Sequence, residues 1–334
     1  MMNMQKGWSS KINVKLVVAG LSLLFGRYIV SALVSNPKRR NTLRKFKPQN
    51  QRLISCKSGN SWYAEVDGPQ DAQTIVFIHG LQSSKLQWYH QQKRFRGSHR
   101  LVLLDLPGHG RSPKAAQFSI PKLSADLDEV LSILSVHQPV LYGHSIGGMI
   151  LLDYCIKYSN KPVRGLVVHN CSYTNPLKSC LFPLFMRSIE VPVVRPFMEL
   201  VKRHPGVFSL LGRINYYAGL SIAFYRMLLF SGAQTAAELR QLCYVAAVCP
   251  PQVVANGIQS TLDFDVSGRL NRISTPCLVI GSEVDRLIRP PAAFYIARHV
   301  QHGRVHILSG GHMNMVEYPD QVNNLLARFF KSLR

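Results

Sequence analysis

The chain reads as an α/β protein, with a mostly parallel, doubly wound sheet and one long helical insertion. Three observations lead there. Apolar strand-like runs alternate with helix-period segments after residue 74, the pattern of a parallel sheet covered on both faces. The 334 residues, 46% of them hydrophobic, suffice for one full core plus an insert. A G-x-S-x-G sequence, Gly143-His144-Ser145-Ile146-Gly147, stands between the apolar run Pro139–Tyr142 and a helix-period segment from Met149 to Tyr158. That is the strand–turn–helix setting in which a serine hydroxyl is held out on a sharp turn.

In chain order, Thr74–Ile78 reads as the third strand of the sheet, and the loop His79-Gly80-Leu81 follows it. Leu101–Leu104 is the next strand, ending in Asp105-Leu106-Pro107-Gly108-His109-Gly110. After the Ser145 turn, a strand ends at His169-Asn170-Cys171. A helical insertion then runs from about residue 172 to 264, and Cys277–Ile280 resumes the sheet. Arg304–Leu308 is the final strand, and an amphipathic helix, Asp320–Leu333, closes the chain. The core is therefore expected over 53–171 and 265–334. The insertion is rich in large apolar residues, among them Leu181, Phe182, Leu184, Phe185, Tyr225 and Phe230. Most should pack between helices and core, while a minority line an apolar pocket above Ser145.

A serine nucleophile needs a base, a group that orients the base, and donors for the oxyanion. With this elbow the order is Ser, then Asp or Glu, then His. The base candidate is His312, in Ser309-Gly310-Gly311-His312 after a strand; the plainer reading is a surface-loop histidine. The acid candidate is Asp285, in Gly281-Ser282-Glu283-Val284-Asp285. Glu283 competes locally, a turn or capping aspartate is the plainer reading of Asp285, and Asp263 and Asp265 read as caps. A carboxylate at 285 would hold one ring nitrogen of His312 and leave the other for the serine proton. The backbone N–H groups of Ile146 and Leu81 are the candidate oxyanion donors. His79 reads as a structural imidazole bracing its loop, His144 as a shape or substrate-lining residue, and Asp105 as a brace.

At these residues the chain resembles the α/β-hydrolase superfamily. The matching pieces are His79-Gly80, Asp105 through Ser112, Gly143 through Gly147, Gly281 through Asp285, and Gly311-His312 with Glu317 and Pro319 behind it. They span roughly residues 53–334 with one gap. The resemblance implies Ser145, Asp285 and His312 as a triad and Leu81 and Ile146 as the oxyanion hole. It looks closest to the lipase, esterase and C–C hydrolase branches. Serine at 145 disfavours the branches with an aspartate nucleophile. Some members carry the acid after the sixth strand, where this chain has no carboxylate.

The net charge is +23 and is uneven. Twelve Lys or Arg precede Glu65, the first acidic residue. Within that stretch Leu16–Val34 is apolar apart from Ser22, Arg27 and Ser31. Ile12–Val34 is long enough to span a bilayer as a helix, although Arg27 costs roughly 2.5–3.5 kcal/mol at a helix centre. A cleaved secretory signal and an amphipathic helix in the interface are the competing readings. The basic run Lys38–Lys47 would attract anionic lipid, and the charge asymmetry would place the catalytic domain on the cytoplasmic side. A nucleic-acid reading of the charge is weak, because no binding fold accompanies it. Seven scattered cysteines without C-x-x-C give neither a zinc site nor a disulfide framework.

The expectation is thus a membrane-associated serine hydrolase of a lipophilic ester, such as a monoacylglycerol, needing no metal or organic cofactor. The same triad acting on a thioester or C–C bond, or transferring the acyl group to an alcohol, is the second enzyme reading. A non-catalytic scaffold that binds an acyl ligand is the third.

Overall fold

The computed structural model describes residues 14–39, 43, 46–180 and 182–333, with backbone alone for 14–17. A long helix α1 (Val14–Leu33) precedes the antiparallel strands β1 (Asn50–Ser55) and β2 (Ser61–Asp67). Then β3 (Thr74–Ile78), α2 (Tyr89–Phe95), β4 (Arg100–Asp105), α3 (Ile120–Ile133), β5 (Val140–His144), α4 (Ile146–Lys157) and β6 (Gly165–His169) alternate. The insertion carries α5 (Pro183–Ile189), α6 (Arg195–Arg203), α7 (Pro205–Tyr217), α8 (Leu220–Leu229), α9 (Ala236–Val248) and α10 (Pro251–Leu262). The chain ends with β7 (Cys277–Ser282), α11 (Pro290–His299), β8 (Gly303–Leu308), α12 (Asn314–Glu317) and α13 (Pro319–Ser332).

The eight strands form one sheet in the order β1-β2-β4-β3-β5-β6-β7-β8. From β4 to β8 every pairing is parallel, and β2 joins β4 antiparallel. Parallel strands are buried on both faces and read as continuous apolar runs. Alternate residues therefore feed two cores. Val76, Ile78, Leu104, Leu141 and Val168 pack with Leu127, Ile150 and Ile296 from α3, α4 and α11. Phe77, Leu103, Tyr142, Val167 and Ile280 pack on the other face with Phe95, Phe329 and Phe330 from α2 and α13. The mostly parallel, doubly wound α/β fold expected from the sequence is the fold observed.

The two ends of the insertion meet where Thr174 bridges Asp265, and the Thr174 hydroxyl donates to Asp265 Oδ2 at 2.7 Å. Helix α9 starts on a capping box, with the Thr235 hydroxyl accepting from Glu238 N and Glu238 accepting from Thr235 N. The apolar side chains of the insertion are less sequestered than expected. Phe182, Leu184, Phe185, Leu210 and Phe224 are exposed, Leu184 at 81%. Leu181 lies outside the described residues.

The N-terminal helix requires a correction. Among the described residues no helix is long and apolar enough to cross a membrane, which overturns the expected transmembrane anchor and the membrane-associated, cytoplasmic-side placement built on it. Instead α1 packs along α7, α8 and α9. Ser31 is fully buried and accepts from Arg240 Nη1 at 2.7 Å. Arg27 lies over the Tyr28 and Tyr217 rings at 4.4 and 4.6 Å. Gly26 touches the backbone of Ala218 so closely that a Cβ there would sit 2.4 Å from its carbonyl oxygen. A hydropathy profile cannot distinguish a lipid partner from a protein one, and part of this apolar run has a protein partner. The start of the expected anchor at Ile12, and Arg40, Arg44 and Lys45 of the basic run, lie outside the described residues.

Candidate active site

The turn at Ser145 follows from its glycines. Ser145 has φ +53° and ψ −123°, a strained conformation for a residue with a side chain. A Cβ on Gly147 would lie 2.4 Å from the Ile78 carbonyl oxygen, and one on Gly143 2.5 Å from that of Gly147. Only glycine lets β3, β5 and α4 approach this closely. The helix begins at Ile146, directly after the serine and earlier than the periodicity from Met149 suggested. Ile146 N–H thus belongs to the first turn, whose donors have no intrahelical partner.

Asp285 and His312 come from the ends of β7 and β8. Asp285 Oδ2 accepts from His312 Nδ1 at 2.7 Å, and both residues are buried. Asp285 Oδ1 accepts from Leu287 N and Ile288 N at 2.8 and 2.9 Å. With Nδ1 donating to Asp285, Nε2 of His312 is left as the acceptor nitrogen. Glu283 is exposed, and Asp263 pairs instead with Arg195 at 2.8 Å. Asp265 accepts from Ser267 N at 3.0 Å, as a cap does, and its several hydrogen-bond donors outweigh burial and hold its carboxyl below the usual range.

Ser145, His312, Leu81 and Ile146 all line one cavity of about 320 Å³. Its walls also include Met149, Leu177 and Cys180, and from α8 and α9 Leu228, Leu242 and Ala246. Among the described residues no Lys, Arg, Asp or Glu lines it. Tyr225, the polar exception on α8, donates its hydroxyl to Gln82 Oε1 at 3.2 Å. Burial pushes the Tyr225 phenol up to about 12.

His79 and Asp105 are both held by backbone partners. His79 Nε2 accepts from Leu106 N at 3.0 Å while its Nδ1 donates to Gly80 O at 2.7 Å. Asp105 accepts from Lys85 N and Arg111 N at 2.7 and 2.9 Å, and burial raises its carboxyl above the usual range. His144 lines the cavity and donates from Nε2 to the His312 carbonyl at 3.0 Å. Its Nδ1 is buried with no hydrogen-bond partner among the described residues. Burial, with His312 nearby, holds the imidazole well below its usual proton affinity.

Two supports were not visible in the sequence. Asn170 Nδ2 donates to the same His312 carbonyl at 2.9 Å and lies at 2.8 Å from Ser282 Oγ. Beneath it, the Tyr142 hydroxyl meets His169 Nδ1 at 2.7 Å and His169 Nε2 meets Asn314 Oδ1. Burial takes His169 down to about 3. The missing carboxylate after β6 was the one signal available, since it marks a position facing the same loop. No cluster of His, Cys, Asp and Glu suited to a metal occurs among the described residues.

The model of the alpha/beta hydrolase family matches residues 75–325, and the chain belongs to that family. Among curated proteins it is similar to 3-oxoadipate enol-lactonase 1 of Acinetobacter baylyi, 22% identical over 84% of this chain and 97% of the relative. It is likewise similar to the pimeloyl-[acyl-carrier protein] methyl ester esterase of Nitrosospira multiformis, 25% identical over 80% of this chain and 98% of that protein. An esterase structure from Exiguobacterium antarcticum shares the fold with a TM-score of 0.70 at 17% identity, covering 84% of this chain and 98% of the esterase.

Proposed function

We propose that this α/β hydrolase is a serine esterase that cleaves a carboxylic ester with an uncharged, lipophilic acyl group, such as a monoacylglycerol, through an acyl-enzyme on Ser145. One observation carries the reading: the 2.7 Å Asp285–His312 contact, with His312 and Ser145 on the wall of one cavity. The two curated relatives are named for cleaving a lactone and a methyl ester.

In this mechanism His312 Nε2 takes the Ser145 proton as Oγ attacks the ester carbonyl. Asp285 fixes the imidazole tautomer and stabilises the imidazolium. The N–H groups of Leu81 and Ile146 receive the oxyanion, each worth roughly 3–4 kcal/mol in comparable holes. His312 then passes its proton to the departing alcohol. Water, losing a proton to the same nitrogen, attacks the acyl-enzyme, and the imidazolium returns that proton to Ser145 Oγ as the acid departs. The lipophilic preference rests on the cavity. An ionised acyl group would enter it with no counter-charge among the described lining residues, which is unfavourable by several kcal/mol.

A p-nitrophenyl ester series from acetate to palmitate, run on the wild type and Ser145→Ala with fluorophosphonate labelling alongside, tests both parts. Labelling and turnover that vanish in Ser145→Ala are expected, with kcat/KM rising beyond acetate. An unlabelled wild type would sink the serine mechanism. A maximum at acetate would remove only the lipophilic part.

A further inference from the structure

The geometry points to Glu317 as the positioning residue that ties the helical insertion to the loop bearing His312. This rests on the esterase reading for its role and on hydrogen bonds for its substance. Glu317 is 3% exposed. Its Oε1 accepts from Ser231 N at 2.7 Å, Ser231 Oγ at 2.9 Å, Gly232 N at 2.8 Å and Ala233 N at 3.1 Å. Its Oε2 accepts from Gly311 N at 2.9 Å, one residue before His312. Among the described residues no Lys or Arg is paired with the carboxylate, since Arg39 Nη1 donates instead to the backbone carbonyls of Glu317 and Ala233 at 3.0 and 3.1 Å; convergent backbone and hydroxyl donors take the place of a counter-ion.

The two ends of this joint are both functional surfaces. Residues 231–233 leave the C-terminal end of α8 immediately after Leu228, Leu229 and Phe230, which line the cavity. A second stitch runs parallel, with Met313 N donating to the Leu229 carbonyl at 3.0 Å. An acyl chain that presses on Leu228 to Phe230 therefore acts on the segment that Glu317 grips, and the other carboxylate oxygen grips the histidine loop. Filling the cavity orders the insertion and, through Glu317, sets the imidazole. Chain length is then read in kcat as well as in KM.

Glu317→Gln keeps the size and one acceptor oxygen. With that oxygen toward residues 231–233, the new NH2 faces the Gly311 N–H, donor against donor. The expected result compares p-nitrophenyl acetate and octanoate. In the wild type kcat for octanoate exceeds that for acetate at least fivefold. In Glu317→Gln the kcat ratio collapses toward one, while the KM ratio stays within about twofold of wild type. Ser231→Ala, which removes a single contact, should shift the kcat ratio part of the way and serves if Glu317→Gln does not fold. An unchanged kcat ratio in a folded variant, or a wild-type ratio of one, overturns the inference. A readout independent of turnover is the low-field proton resonance of the His312–Asp285 hydrogen bond. It should weaken or move in both variants, and its persistence unchanged would equally overturn the assignment. A wild type with no esterase activity would defeat the esterase reading while this resonance still decides the role of Glu317.

Discussion

Nδ1 of His312 lies 2.7 Å from Oδ2 of Asp285, whose other oxygen is already held by the N–H groups of Leu287 and Ile288. The carboxylate cannot swing away without abandoning two backbone donors. It therefore acts as a fixed reference for the ring.

Asp285→Asn should fold and lose activity. An amide oxygen at Oδ1 still accepts from Leu287 and Ile288, so the turn survives. The amide NH2 then faces Nδ1 and imposes the wrong tautomer, with Nε2 protonated. Ester kcat should fall about a thousand- to ten-thousand-fold, with a melting temperature near wild type. Glu283→Gln, at an exposed site, should leave both unchanged. A mild loss in Asp285→Asn, or a deep one in Glu283→Gln, would reassign the acid.

Gly147→Ala should damage stability as well as activity. The added methyl would fall 2.4 Å from the Ile78 carbonyl oxygen and 2.7 Å from that of His79. Both are backbone atoms at the end of β3 and have little room to yield. We expect a loss of about 1–3 kcal/mol, seen as a lowered urea midpoint. A stability equal to wild type would mean that strand and helix part more readily than their contact implies.

Acid should unfold the protein through its buried histidines. His109 is lowered to about 4 and His169 to about 3, both by burial, and burial holds His79 and His144 well below their usual value. Below pH 6.5 the unfolded chain binds protons that the native state refuses, so stability rises with pH across this window. It is fully present above pH 6.5 and lost as pH falls through about 4 for His109 and about 3 for His169. His109 alone corresponds to about 3 kcal/mol. Urea midpoints at pH 7, 5.5 and 4.5 should decline in step, and a flat profile would show that these imidazoles are hydrated or charged in the fold.

Ala246→Phe should shorten the preferred acyl chain. Ala246 is buried on α9 and faces the cavity, so a ring there takes volume from the substrate. Octanoate kcat/KM should drop about tenfold or more relative to acetate, the scale on which a pocket senses one or two methylenes. Equal losses for both esters would mean that the chain lies elsewhere.

The sheet was readable because its signals are local. Apolar runs, a glycine on each side of Ser145, and strand ends carrying Asp285 and His312 are each visible within a few residues. The supports of the histidine loop were not. His144 and Asn170 meet the His312 carbonyl across 168 and 142 residues of chain. No periodicity encodes a side chain that reaches a distant backbone oxygen. The N-terminal helix failed for the converse reason. Its composition is unmistakably apolar, but composition does not name the partner, and Gly26 and Ser31 fit the surface of the insertion.

All seven cysteines are free and buried, and burial raises several of them to about 12. Folded protein should therefore be nearly silent to thiol dyes, so a single cysteine engineered on the surface could carry a fluorophore without first removing the native ones. Cys180 and Cys243 alone border the cavity. Whatever slow dye uptake they show in the native state becomes a gauge of how often that chamber admits a visitor, and a bound ester analogue should slow it.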